Sequence, residues 1–105
     1  MHSSTFAALG DPTRVAIIDQ LSRGAATVTE IAAPFDMSLR GVLKHVQVLE
    51  EAGLVRTEKS GRVRRCVLQR ERLDEAQRWM HRIAAQWERR MDRMDQYLAK
   101  ENIRR

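Results

Sequence analysis

The stretch SLRGVLKHVQVLEEAGLVRTEKSGRVRR, residues 38–65, decides the fold. Ser38 is a favourable helix N-cap, because a serine oxygen accepts from a backbone N–H that the first turn leaves unpaired. Val42, Val46 and Leu49 then recur at i, i+4 and i+7, the spacing of one buried stripe on a helix. With that stripe inward, Arg40, Lys44 and Gln47 lie away from the core. Ala52-Gly53 ends the helix. Residues 54–58 and 63–68 are two short β-prone runs around Lys59-Ser60-Gly61-Arg62, which reads as a hairpin.

Upstream, Thr29 is expected to cap a short helix through Glu30, Ile31 and Ala32. Pro34 limits that helix to about two turns, since a later proline removes a backbone donor. Phe35-Asp36-Met37 forms the turn. Two helices, the second longer, joined by a tight turn make the helix-turn-helix pattern, and a hairpin directly after the second helix is a wing. Before them, residues 5–9 suggest a short helix ended by Gly10. Asp11-Pro12 reads as an N-cap with proline at the first helical position. Val15, Ile18 and Leu21 give that next helix an apolar face with Ile17 beside it, and Gly24 stops it.

After the wing the pattern changes. From Arg72 to Lys100 there is no glycine or proline, and Leu73, Ala76, Met80, Ile83, Trp87, Met91, Met94 and Leu98 step by three or four. This predicts one long amphipathic helix over 72–100. Its stripe is longer than a small winged core covers. An uncovered stripe of Trp and Met implies a partner, most simply a second copy of the chain. The expected fold class is therefore mainly α with a small β-hairpin: a single winged helix-turn-helix domain over 1–105. Its DNA-binding core is 5–71, its wing 54–68, and its long C-terminal helix serves dimerisation.

Composition narrows the function. The chain has 105 residues and 43% hydrophobic content, enough for one modest core. No apolar run approaches the ~20 residues of a membrane span, and MHSSTFAALGDPTR has no basic segment followed by an apolar one, so no signal peptide is read. The expectation is a cytoplasmic protein with no membrane partner. The net charge of +5 favours a polyanionic partner. The distribution says more: Arg56, Lys59, Arg62, Arg64 and Arg65 stand against the lone acid Glu58 between residues 56 and 65. The C-terminal third is also Arg-rich, but acids are interspersed as on a solvated helix face. At 5% aromatic content a base-stacking platform for single strands is not expected.

LGDPTRVAIIDQL at 9–21, TVTEIAAPFDMSLRGVLKHVQVLEEAGLV at 27–55 and TEKSGRVRRCVL at 57–68 together resemble the ArsR/SmtB family of winged-helix repressors. The tail WERRMDRMDQYL at 87–98 resembles its metal-independent, SdpR-like branch. The resemblance implies a homodimer paired through its first and last helices, with Phe6, Leu9, Trp79, Met80, Ile83, Trp87, Met91, Met94 and Leu98 at the interface. It implies a recognition helix in the major groove of double-stranded DNA and a wing along the backbone or minor groove. By motif match Ser38, Arg40, Gly41, Lys44, His45 and Gln47 fall on the DNA-facing side. Arginine suits guanine O6/N7 and glutamine suits adenine. Ser38 and the helix N-terminus suit a phosphate. From the wing, Arg62 and Arg64 are the expected contacts. Arg64 shares a face with Cys66 in strand alternation, whereas Arg65 shares the other face with Val67.

Several residues carry two readings. His45 donates to a phosphate or packs against the backbone. Leu39 and Leu43 stand where the family usually has polar residues, and either touch a thymine methyl or pack on a neighbouring helix. Gly41 allows close approach to DNA or is a tolerated substitution. Trp79, Trp87, Met80, Met91 and Met94 fit ordinary packing better than an effector pocket. Where many family members carry a Cys-x-Cys metal site, this chain has Thr27 and Thr29, which are poor soft-metal ligands. His81, Asp92 and Asp95 on the last helix lack a second histidine at useful spacing. No metal or cofactor is expected, and no catalytic constellation is read, so no enzyme. The resulting expectation is a dimeric, sequence-specific repressor acting on an inverted repeat. The alternatives are a winged-helix protein-interaction module, or a ligand- or redox-responsive repressor using Cys66.

Overall fold

Each interior helix begins where a short polar side chain can satisfy the N–H groups its first turn leaves unpaired. The computed structural model describes residues 2–104, and side chains within 3–101. Helix α1 spans His2–Ala8. Asp11 then accepts from the N–H groups of Thr13 at 2.8 Å and Arg14 at 3.3 Å, and α2 runs Pro12–Leu21 with its proline in the first turn. Desolvation pushes the Asp11 carboxyl up, but the two N–H donors, together with the nearby His45 and Arg14, outweigh it and hold its pKa below the ordinary value. Helix α3, Val28–Ala32, starts in a capping box. Thr27 accepts from the Glu30 N–H, and the Glu30 carboxylate accepts from the Thr27 N–H and hydroxyl. Those bonds from Thr27 hold the Glu30 carboxyl below its usual range. Helix α4, Leu39–Glu51, is capped by Ser38, whose Oγ accepts from the Gly41 N–H at 3.0 Å.

The end of α4 sets the direction of the wing. The Gly53 N–H donates to Glu50 O at 3.0 Å and the Leu54 N–H to Leu49 O at 2.9 Å. This is the Schellman pairing, and it needs the left-handed conformation that Gly53 adopts at φ 76°. Leu49 and Leu54, brought together by it, are both fully buried. Strand β1, Val55–Ser60, pairs antiparallel with β2, Val63–Leu68, in the register Val55↔Leu68 to Ser60↔Val63. Gly61 and Arg62 make a two-residue turn, with Gly61 at φ 64° and Arg62 at negative φ. Glycine first is the pattern of a II′ turn, whose twist matches the strands. The outer edge of β2 is covered by a bridge between Ala26 and Cys66, with N–H···O distances of 3.1 and 2.7 Å.

The core lies among α2, α3, α4 and the base of the hairpin. Ile17, Leu21, Ile31, Val42, Val46, Leu49, Leu54, Val55 and Cys66 are buried together with Ala8 of α1. Each large aliphatic side chain there stabilises the fold by about 1.5–3 kcal/mol relative to exposure. Helix α5 spans Glu71–Arg104. The chain divides into two compact units, Met1–Glu75 and Ala76–Arg105; α5 begins in the first, where Leu73 packs against the core, and makes up the second. Among the described residues no helix is long and apolar enough to cross a membrane. The fold class expected from the sequence, mostly helical with one hairpin and a long last helix, is the fold observed.

Four local expectations are corrected. The cap of α3 is Thr27, not Thr29, because only Thr27 stands three residues before a glutamate that can reach back. Val15 is 49% exposed, while Ile17 is fully buried. The buried pair on α2 is Ile17 and Leu21 at i, i+4, which turns Val15 outward. Helix α1 begins at His2 and ends at Ala8, leaving Leu9 outside it. Against the expected 72–100, α5 starts one residue earlier and extends to Arg104.

Candidate nucleic-acid interface

Burying Val42, Val46 and Leu49 leaves the opposite side of α4 to solvent. Arg40, Leu43, Lys44 and Gln47 recur there at i, i+3, i+4 and i+7, with Leu39 beside them, and all five are exposed. The stripe ends in acid: Glu50 and Glu51, also exposed, occupy the last turn. Phosphates are therefore attracted to the N-terminal half of the helix and repelled from its end. Ser38 lies at the favourable terminus, exposed, with its Oγ engaged as the cap. Gly41 is half-buried, and a Cβ on it would sit 3.3 Å from Ser38 Oγ. Its glycine thus leaves room for the cap, a reason that neither reading of the sequence supplied.

His45 lies apart from this stripe, half-buried on the opposite flank. Its Nδ1 is 3.3 Å from Arg14 Nη1. Arginine only donates, so Nδ1 accepts and the proton of the neutral ring is carried on Nε2. The same guanidinium donates through Nε to Ala8 O and through Nη2 to Ala7 O at 3.3 Å. Arg14 thus donates to the last carbonyls of α1, sharing Ala7 O with the Gly10 N–H, and grips α4 at once. Sequence reasoning missed it, because its partners stand six, seven and 31 residues away.

The strand register sorts the basic residues of the wing. Lys59 pairs with Arg64 and Thr57 with Cys66, placing these four on one face. That face looks across a cleft of about 290 Å³ at α4, lined by Val28, Leu43, Val46, Gln47, Glu50, Thr57, Arg64 and Cys66. The Thr57 hydroxyl donates to Glu50 Oε1 at 2.7 Å and ties the wing to the last turn of the helix. On the other face Arg56 is neutralised by Glu58 at 2.7 Å, and Arg65 pairs across the ladder with Glu58. Arg62 occupies the turn. No acidic side chain forms an ion pair with Arg40, Lys44, Lys59, Arg62 or Arg64 among the described residues. Lys59 was counted in the basic cluster of the wing but not named among the expected contacts. Counting the register back from buried Cys66 is the signal that would have found it.

The Cys66 thiol is buried, and burial, with Glu50 nearby, pushes its pKa up. A protonated, enclosed thiol is a poor nucleophile. Among the described residues no three His, Cys, Asp or Glu side chains are grouped as a metal site. At the family's Cys-x-Cys positions, Thr27 is spent on the capping box and Thr29 offers only an exposed hydroxyl, so this donor set does not fit a soft metal.

On α5, Trp79, Met80, Trp87, Met91, Met94 and Leu98 are exposed, as is Tyr97, which the spacing argument left out. Ile83 is half-buried. The Arg90 guanidinium lies 5.9 Å from the centre of the Trp87 ring. Phe6 and Leu9 are half-buried, and Leu9 packs against the core of its own chain.

A helix-turn-helix domain family matches residues 9–58. The chain is 39% identical over 75 residues to the uncharacterized HTH-type transcriptional regulator YuzN of Bacillus subtilis, covering 65% of this chain and 82% of that one. It is 32% identical over 59 residues to the transcriptional repressor SdpR of the same organism, covering 56% and 66%. The crystal structure of an ArsR family transcriptional regulator superposes with a TM-score of 0.75 at 45% identity, over 82% of this chain and 89% of that one. These relatives are transcriptional regulators, not enzymes.

Proposed function

The chain belongs to the ArsR family of winged helix-turn-helix DNA-binding transcriptional regulators, and from that premise we propose that it is a homodimeric repressor of an inverted-repeat operator. The observation that carries the reading is the shared orientation of the unpaired cations. Arg40, Lys44 and Gln47 form one exposed stripe on α4, and Arg64 of the wing lines the same cleft as Leu43 and Gln47. In this reading Arg40 and Gln47 reach base edges, while Ser38, Lys44, Lys59, Arg62 and Arg64 serve phosphates. His45, gripped by Arg14, orients α4 and is a secondary contact.

The dimer rests on the exposed stripe of α5. A two-fold pair would set two α4 helices about 34 Å apart, one turn of B-DNA, which is why the operator is an inverted repeat. Repression follows from occlusion of a promoter, including the protein's own. The enclosed, protonated Cys66 thiol weighs against a redox switch.

The test is binding of the full chain to its own upstream DNA, titrated with salt in the presence of excess random duplex, beside Arg40→Ala. Specific binding that falls steeply with salt and loses about 1–3 kcal/mol in the variant is expected. Binding no tighter than to random duplex, unchanged by the variant, would refute autoregulation and base reading by Arg40. It would favour a winged helix that docks protein instead.

A further inference from the structure

The DNA-facing stripe of α4 is not uniformly polar. Leu39 is 53% exposed and Leu43 41% exposed, and neither belongs to the core cluster. The sequence left open that they pack on a neighbouring helix; both instead keep much of their apolar surface open to solvent. They stand at i, i+4, on successive turns of the same side, about 6 Å apart along the axis. Cations and an amide surround them: Arg40, Lys44 and Gln47 on the helix, with Arg64 across the cleft that Leu43 also lines. A membrane or an apolar protein surface would have to desolvate that ring of charge. A DNA major groove would not, because it offers phosphates to the cations, and among its base-edge groups the C5-methyl of pyrimidines is the apolar one.

We propose that Leu39 and Leu43 read pyrimidine C5-methyl groups, so that each half-site carries thymine at one or two positions within about two base-pair steps of each other. This rests on the assignment of α4 as the DNA-reading helix. It adds an apolar component to specificity that Arg40 and Gln47 do not supply. Because the contact senses a methyl rather than a base-pairing edge, 5-methylcytosine presents the same group to it.

The experiment uses duplexes selected from a random library by the full-length protein. Every thymine of one half-site is replaced singly by deoxyuridine, which removes the methyl and leaves pairing intact. At one or two positions the affinity is expected to fall about fourfold, the worth of one buried methyl. In Leu39→Ala and Leu43→Ala the thymine duplex should bind more weakly and the thymine-to-uridine ratio at the corresponding position should approach one. Leu43→Met should retain the ratio, and Arg40→Ala should keep it while weakening all binding. Both leucines are exposed, so the variants should fold, as circular dichroism checks. Selected duplexes that bind specifically yet show no uridine effect would overturn the proposal. So would a uridine effect that persists in the double alanine variant. Failure to select any duplex would instead overturn the DNA-reading assignment, and this inference with it.

Discussion

Helices α4 and α5 are both amphipathic, and their apolar stripes meet opposite fates. On α4, Val42, Val46 and Leu49 are sealed against α2, α3 and the wing. On α5, Trp87, Met91, Met94 and Leu98 remain exposed. The residue types differ accordingly. Branched aliphatic side chains have few rotamers and specify one packing, while methionine adapts to an irregular or borrowed surface. A stripe that folds its own chain and a stripe left exposed obey the same spacing rule, so periodicity alone does not tell them apart. What separates them is how much chain is left to cover each.

The largest effect is expected at α5. Trp87→Glu with Met91→Glu places two carboxylates in the exposed stripe. If the stripe joins two copies, the variant should sediment as a monomer and lose about 10²- to 10⁴-fold in affinity for a two-half-site duplex, the contribution of linked binding. Its single-half-site affinity should hold. A variant that sediments and binds like the parent would show that the stripe does not hold the dimer.

The matching change on α4 is Leu49→Ala. It should cost about 2–5 kcal/mol of stability in urea unfolding, since Leu49 is fully buried and its removal leaves a cavity. It should leave the oligomeric state unchanged at concentrations where the protein is folded. A cost below about 1 kcal/mol would mean that α4 is less tightly sealed than its burial implies.

Much of this arrangement was legible in the sequence, because it depends on neighbours. Ser38 caps α4 through a residue three positions on, and Val42, Val46 and Leu49 share a face by helix geometry alone. Gly53 and Gly61 mark two of the places where the backbone takes a positive φ. The Thr27-x-x-Glu30 capping box was equally local, and it was missed only because Thr29 competes as a cap by type. Other features depend on tertiary distance. The choice of Ile17 over Val15 is made by what α2 packs against, since both are β-branched and apolar. The placing of Lys59 beside Arg64, on the face that carries Cys66, follows from strand register, whereas Arg56 and Glu58 meet by alternation within one strand. Leu39 and Leu43 stay exposed for a reason no propensity scale contains.

Arg14 is the sharpest of these long-range cases and the smallest expected effect. It joins the end of α1 to the flank of α4 through one guanidinium, and that fork has no equivalent in a lysine. In Arg14→Lys the charge is retained, while the simultaneous grip on Ala7 O, Ala8 O and His45 Nδ1 is lost. Operator affinity is then expected to fall by about 0.5–1.5 kcal/mol, the net worth of one hydrogen bond. The decisive readout is the His45 tautomer. Nitrogen-15 NMR of the neutral ring should find the proton on Nε2 in the parent and a mixture in the variant. A parent ring protonated on Nδ1 would mean that Arg14 does not hold it, and α4 would then owe its orientation to core packing alone.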